Sequence, residues 1–144
     1  MYLFIGPDAY DRDRCRRALT DAVLPPDERE DGMVRHDLDT TDLRAVLDDA
    51  QSFSLFARNR LFWVSGAEAV LPRGRASEEE TGAAAALGFY LKNPAPATTV
   101  VFDCSRFELD GDDKAKVDRV RKFYSAAPAV LELQRLLSEA VWRG

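Results

Sequence analysis

Five short apolar runs, separated by segments with helical periodicity, constrain the fold of this chain more than any other feature. The runs lie at residues 2–5, 33–38, 60–64, 98–103 and 129–133. Most of them are continuously apolar, which is typical of strands that are buried on both faces of a parallel sheet. Strands that alternate with helices favour the same architecture. The sequence therefore predicts an α/β fold, a five-stranded parallel sheet with helices on both faces.

Helical patterns fill the segments between these runs. A helix is predicted at residues 9–24, with Asp8 as its N-cap and Pro25-Pro26 after its end. In the next one, which begins near Asp42 after a cap at Asp39 or Thr40, apolar residues recur with helical spacing. Those residues are Leu43, Val46, Leu47 and Ala50. Three more helices are predicted, at 77–91 with Ser77 as N-cap, from a cap within 110–113 to 124, and around 136–142. Residues 27–32 are predicted to be a solvated loop and residues 65–77 a flexible one.

Composition and charge narrow the classes of function. The chain has 144 residues, which suits one domain over residues 1–144, and a net charge of −5 with no separate block of Lys and Arg. Direct nucleic-acid binding by this domain is not expected, since it needs a concentrated basic face. No apolar run is long enough to span a membrane, and the first residues lack a signal-peptide pattern. The two cysteines, Cys15 and Cys104, are predicted to be plain buried thiols, as in a reducing cytoplasm.

The loop after the first run is where a parallel sheet of this kind would hold a phosphate. Here it begins Gly6-Pro7-Asp8 and has one glycine, no lysine and no hydroxyl at the place that magnesium needs. Proline has no N–H to donate. We therefore predict no cofactor at this degenerate loop, and a nucleotide-dependent α/β enzyme stays only as an alternative.

Other candidates for catalysis are few. The single histidine, His36, lies within a strand pattern and has no second ligand at metal-binding spacing, so it is predicted to be a surface or satisfied sheet residue. Asp103 ends the clearest strand and is predicted to be a cap or turn residue, with a magnesium ligand as the alternative. The Asp and Lys that a phosphoacceptor receiver domain needs after its third and fifth strands are missing. We predict no catalytic residue and no metal site.

The junction at residues 51–64 is the most informative stretch for function. It runs from the end of a helix to a buried strand, and between them it places Leu55 and Phe56 in what should be a surface loop. Apolar residues in such a loop either close the core or are displayed to a partner. Arg58 and Arg60 would then be rim contacts to an acidic partner or ordinary solvated charges.

Several segments together resemble the N-terminal domain of the delta subunit of the bacterial DNA polymerase III clamp loader. The resemblance is carried by residues 2–10, by Gln51-Ser52-Phe53-Ser54-Leu55-Phe56 before the strand at 60–64, and by residues 90–98. Leu109-Asp110, with Lys114 and Lys116 beyond, adds to it. The likeness extends over essentially all 144 residues.

The resemblance implies an ATPase-like domain with a degenerate nucleotide site that binds the sliding clamp and helps open the ring. It is not expected to be an enzyme by itself, although the complete subunit would belong to a polymerase holoenzyme. The implied clamp contact is the Ser54-Leu55-Phe56 segment, with Gln51 as its polar member. Phe53 either competes for the apolar pocket on the clamp or anchors the segment, and Arg58 is the expected rim contact.

The resemblance also implies what surrounds this domain. The chain would be an N-terminal fragment, expected to be a cytoplasmic monomer, of a subunit that continues into a lid and a collar. The other clamp-loader subunits would then be partners of the full-length protein. A third hypothesis is a structural assembly module with its working surface elsewhere, for example around Trp142.

Overall fold

The computed structural model describes residues 1–6, 9–52, 57–70, 78–106, 113–124 and 129–132. The strands are β1 (Tyr2–Ile5), β2 (Met33–Asp37), β3 (Arg60–Ser65), β4 (Thr98–Cys104) and β5 (Ala129–Glu132). The helices are α1 (Ala9–Val23), α2 (Arg29–Gly32), α3 (Leu43–Gln51), α4 (Glu78–Lys92) and α5 (Lys114–Phe123).

The strands form one five-stranded sheet in the order β2-β3-β4-β1-β5, and every pair is parallel. The α/β architecture with a parallel sheet is thus confirmed. In the register, Phe4 of β1 lies opposite Asp103 of β4. The carboxyl ends of β1 and β4 therefore lie side by side, although the two strands are far apart along the chain.

Helices cover both faces of the sheet, which explains why most of the strands are continuously apolar. On one face Phe4, Leu61 and Trp63 pack with residues of α1, including Leu19 and Val23. The opposite face carries the larger core, to which α3, α4 and α5 contribute. Its members include Leu3, Ile5, Val46, Phe62, Val64, Leu87, Phe102, Val117 and Tyr124. Because successive strand residues point to opposite faces, the central strands β3 and β4 have to be buried at nearly every position, whereas the edge strand β2 carries polar residues.

Helix α3 confirms the prediction made from its apolar spacing. Leu43, Val46, Leu47 and Ala50 are all buried. This stripe holds α3 against the sheet and so fixes the position of its last turn, where the candidate site begins.

Two predicted loops are corrected by the structure. Residues 27–32 contain the short helix α2. Its Gly32 is buried and packs so closely that a Cβ there would lie 2.5 Å from the carbonyl oxygen of Asn59. In the other loop, Ser65 closes β3 and Ala67–Val70 form a 3-10 helix whose Ala67 is buried. The rest of that loop, residues 71–77, lies outside the described residues.

Some of the predicted helix caps are contradicted by the structure, and others lie outside the described residues. The N-cap of α3 is Asp42, so the cap predicted at Asp39 or Thr40 is wrong. Asp113 stands at the N-cap of α5 without a side-chain cap hydrogen bond, and the other residues of that predicted cap, 110–112, lie outside the described residues. The predicted caps Asp8 and Ser77, and the predicted last helix, lie outside the described residues. Within the described part of the chain, no helix has both the length and the apolar character needed to cross a membrane.

Candidate functional site

The junction between α3 and β3 begins where the helix stops at Ser52. The Ser52 backbone is extended (φ −71°, ψ 152°), and its N–H donates to the Asp49 carbonyl at 3.1 Å. The Ser52 hydroxyl also donates to that carbonyl, at 2.6 Å. Serine competes well for local backbone hydrogen bonds of this kind, which is why it suits a helix end.

Arg60, the first residue of β3, reaches back to the end of α3. Its guanidinium donates to the carbonyl oxygens of Ala50 at 2.6 Å and Ser52 at 2.8 Å, and more weakly to that of Asp49 at 3.3 Å. The last carbonyls of a helix lack helical partners and carry partial negative charge, so a buried guanidinium suits them. Arg60 is only 8% exposed and lies over the Phe62 ring, 5.0 Å from its centroid. The prediction of a rim contact or a solvated charge at Arg60 is therefore wrong, whereas the strand predicted to begin there is confirmed.

Glu28, in the turn before α2, holds the other side of the junction. Its Oε1 accepts the backbone N–H of Arg58 at 2.7 Å, and its Oε2 accepts from the Asn59 side chain at 3.0 Å. These hydrogen bonds, the Arg58 backbone N–H first, lower the pKa of the Glu28 carboxyl from its ordinary value. Ala57 is buried next to them, while the Arg58 side chain is exposed.

Residues Phe53, Ser54, Leu55 and Phe56 lie outside the described residues, so their predicted display stays a prediction. The structure places the two other predicted site residues, Gln51 and Arg58, on either side of this four-residue span, each one residue beyond its direct neighbours Ser52 and Ala57. Gln51 is exposed, and its side-chain amide donates to the Asn93 carbonyl at 3.1 Å. Both ends of the span are therefore held by contacts to other parts of the fold.

A shallow cavity of about 290 Å³ lies beside Gln51, between α3 and α4. Phe89 of α4 lines it and is 63% exposed. Leu47 and Tyr90 form its apolar floor together with two alanines of α4. The cavity borders the candidate site, because Gln51 and Phe89 line it together.

At the carboxyl ends of β1 and β4, side chains of α1 and β3 converge on Asp103. Arg12 of α1 donates from Nε to Asp103 Oδ1 at 2.6 Å and from Nη2 to the Gly6 carbonyl oxygen. Trp63 donates from Nε1 to Asp103 Oδ2 at 3.2 Å. Both carboxylate oxygens are thus engaged, and Asp103 lies within β4, so the prediction of a cap or turn residue is wrong. Burial raises the pKa of the Asp103 carboxyl, and the Arg12 guanidinium opposes that shift.

The remaining candidates agree with structural roles. His36 Nε2 lies 2.8 Å from Asp49 Oδ2 and its ring stacks on Phe62, so it is a satisfied sheet residue as predicted. Burial raises the pKa of the Cys104 thiol to about 12, in keeping with the plain buried thiol predicted there. Cys15 is only half-buried, so the prediction of a buried thiol is wrong at that position. Among the residues that the structure describes, no cluster of His, Cys, Asp or Glu is suited to hold a metal ion.

Sequence patterns do not reveal the contacts that fix the junction. The one signal for the contacts of Arg60 is its position directly before a continuously buried run. A charge at such a position is itself buried, and a buried charge needs a partner. No local pattern joins Glu28 to Arg58, or Arg12 to Asp103, since these partners are 30 and 91 residues apart.

Comparisons with known proteins agree with this architecture. In solved structures, the chain resembles the DNA clamp loader delta protein of Bacillus subtilis, with a TM-score of 0.62 and 19% identity over 91% of this chain. It also resembles a DNA polymerase III gamma subunit-related protein from Thermotoga maritima, with a TM-score of 0.52 and 16% identity over 90% of this chain. The chain spans 37% and 40% of the lengths of those two proteins. At these identities the likenesses show the fold alone.

Sequence comparison is more specific about the family. A search of curated proteins found no match. The sequence model of the family described as DNA polymerase III, delta subunit, matches residues 2–130, which is most of the chain. The chain therefore belongs to the DNA polymerase III delta subunit family.

Proposed function

We propose that this chain is the part of a clamp-loader delta subunit that binds the DNA polymerase sliding clamp and helps open the ring during DNA replication. Leu55 and Phe56 are the apolar anchors that enter a pocket on the clamp. Ser54 and Gln51 are polar members of the contact, Phe53 lies beside the anchors, and Arg58 is a rim contact.

The observation that carries the proposal is that both ends of residues 53–56 are held independently. Arg60 binds the carbonyl of Ser52, directly before the span. Directly after it, Ala57 is buried and Glu28 holds the backbone of Arg58. Fixed ends reduce the conformational entropy that a four-residue segment loses on binding.

Such preorganisation matters because two apolar side chains alone bind weakly. Burying a Leu and a Phe yields roughly 3–6 kcal/mol. A free energy of roughly 4 kcal/mol corresponds to a millimolar dissociation constant. A useful affinity therefore requires that the segment be ordered beforehand and that neighbouring contacts, such as one from Arg58, add to it.

The same proposal assigns no catalysis and no cofactor to this domain. We propose an ATPase-like domain whose nucleotide position is degenerate, in keeping with the engagement of Asp103 by Arg12 and Trp63. In the full-length subunit, a lid and a collar would join it to the other clamp-loader subunits in the cytoplasm. The domain alone would be a monomer that binds the clamp but not DNA.

The test is a surface-plasmon-resonance measurement of the organism's sliding clamp binding to the chain. The double variant Leu55→Ala with Phe56→Ala is expected to lose detectable binding and to keep its melting temperature. Tyr10→Ala is the matched control, since it removes a large exposed aromatic residue of α1 that does not line the cavity beside Gln51. That control is expected to bind like wild type.

Three other outcomes of these measurements would support the alternative hypotheses. If Leu55 and Phe56 are core residues, each truncation would cost about 2–5 kcal/mol and lower the melting temperature. A double variant that is fully folded and still captures the clamp would instead favour a working surface elsewhere. Saturable binding of ATP or GTP with magnesium would favour the enzyme alternative.

A further inference from the structure

A second cavity, of about 360 Å³, lies between α1, α2 and β2 on the face of the sheet that α1 covers. Its lining includes no residue of 51–58, whereas its Arg16 also acts electrostatically on Asp103. The charged residues that line it are Asp13, Arg16, Arg17, Asp21, Arg29 and Arg35. Four arginines around one cavity are unexpected in a chain whose net charge is −5.

Ion pairs orient three of these arginines. Asp13 accepts from Arg16 at 2.6 Å with one oxygen and from Arg17 at 2.8 Å with the other. Asp21 holds Arg29 at 2.7 Å. The Arg16 guanidinium also lies 5.7 Å from the centroid of the Trp63 ring, a further constraint on its position. A guanidinium has five N–H donors, so each of these arginines keeps donors for a ligand.

Arg35 is the fourth arginine and is held by no such pair. It lies on β2 in an exposed position, and its side chain has no hydrogen-bond or ion-pair partner among the residues that the structure describes. Since four guanidiniums face two carboxylates, the lining carries a formal surplus of two positive charges. A concave surface concentrates the field of such a surplus and so attracts anions.

We propose that this cavity is a binding site for a phosphate group, either free or as the monoester of a small molecule. Arginine suits phosphate because its planar fork donates two parallel hydrogen bonds to two oxygens. A phosphate dianion would balance the two surplus charges, whereas a single carboxylate would balance only one. The cavity volume is at the lower end of the range for small-ligand sites. The ligand is therefore a compact phosphate and not an extended one.

The test is an NMR titration of the chain, at constant ionic strength, with inorganic phosphate and separately with adenosine 5′-monophosphate. Saturable shifts of the Arg29 and Arg35 amides are expected. In the double variant Arg29→Gln with Arg35→Gln, the dissociation constant is expected to rise roughly tenfold or more, since charge-assisted hydrogen bonds are lost. The Arg44→Gln variant, which neutralises an exposed arginine of α3, is the matched control and should keep the wild-type affinity.

The two titrations distinguish free phosphate from a phosphate monoester. Binding of both ligands assigns free and esterified phosphate, and binding of the monophosphate alone assigns a monoester. The proposal is overturned if wild type binds neither ligand, or if adenosine without phosphate shifts the same amides. It is also overturned if a folded double variant binds like wild type, or if Arg44→Gln weakens binding equally.

Discussion

Asp103 is the residue whose surroundings differ most from the prediction. Its carboxylate accepts from Arg12 and from Trp63, and both partners of the ion pair are largely buried, with 12% and 6% of their side chains exposed. Breaking a buried pair by removing one partner leaves an uncompensated charge, which is costly. The stability effect of this pair should therefore depend on which partner is removed.

We predict that Arg12→Met lowers the free energy of unfolding by roughly 3–5 kcal/mol at neutral pH, because the Asp103 carboxylate is then buried without its counterion. Adding Asp103→Asn should recover part of that loss, since the neutral amide keeps an acceptor for the Trp63 N–H. Urea denaturation of both single variants and of the double variant gives the coupling energy. A double variant that loses the sum of the two single effects would contradict this prediction.

The pH dependence of Arg12→Met follows from the same geometry. Burial already raises the pKa of Asp103 above its ordinary value of 3.8, and losing the guanidinium raises it further. Between the unfolded and folded pKa values the folded state binds more protons, so stability increases as the pH falls. The deficit of Arg12→Met relative to wild type should therefore shrink as denaturation is measured at lower pH towards 3.8.

At the scale of elements, the end of α3 is tied to the start of β3 by one side chain. Arg60 supplies donors to two carbonyls at the helix end, Ala50 and Ser52, while its backbone belongs to the sheet. A helix end and a strand start that share a buried guanidinium cannot separate without exposing unsatisfied polar groups.

Arg60→Met should lower the free energy of unfolding by roughly 1.5–3 kcal/mol, the range for hydrogen bonds to a charged group. We also expect weaker binding to the clamp, since Ser52 loses its anchor. The comparison variant is Arg58→Ala. Its stability should change by less than about 0.5 kcal/mol, because the contact to Glu28 is made by the backbone N–H. Equal losses of stability in the two variants would contradict the assigned role of Arg60.

Glu28 joins the turn before α2 to the start of β3, and its effect is predicted to depend on pH. Its folded-state pKa lies below the ordinary value of 4.5, so its stabilising contribution is present above that pH and disappears as the pH falls through the folded pKa. The stability difference between wild type and Glu28→Gln should therefore be largest above pH 4.5 and vanish in more acidic solution. Amide exchange at Arg58 should be faster in Glu28→Gln at neutral pH, and an unchanged exchange rate would contradict the contact.

At the scale of the whole molecule, periodicity was enough to predict the parallel α/β architecture. The stripe of Leu43, Val46, Leu47 and Ala50 predicted a helix with one buried face, and all four residues are buried. The continuous run at residues 60–64 likewise predicted a strand between two layers, and β3 contacts both cores. Local patterns succeed here because the spacing of apolar residues along the chain shows whether one face or both faces of an element are buried.

The contacts that position the candidate site could not be predicted in this way. Glu28 appeared to be one of several acidic residues in a polar stretch, and only the fold brings it to Arg58. Asp103 was misassigned because its partners, Arg12 and Trp63, come from α1 and β3. Such pairings depend on strand order, which periodicity does not report.

The independent anchoring at Ser52 and at Ala57 to Asn59 also has a consequence for protein engineering. Arg60, Glu28 and Ala57, which hold the two ends, all lie outside the four residues between them. Residues 53–56 are thus a natural graft position, into which a tetrapeptide with a different specificity can be transplanted while the anchors stay in place. Under the proposed clamp contact, exchanging these four residues would direct one scaffold to the clamps of different organisms.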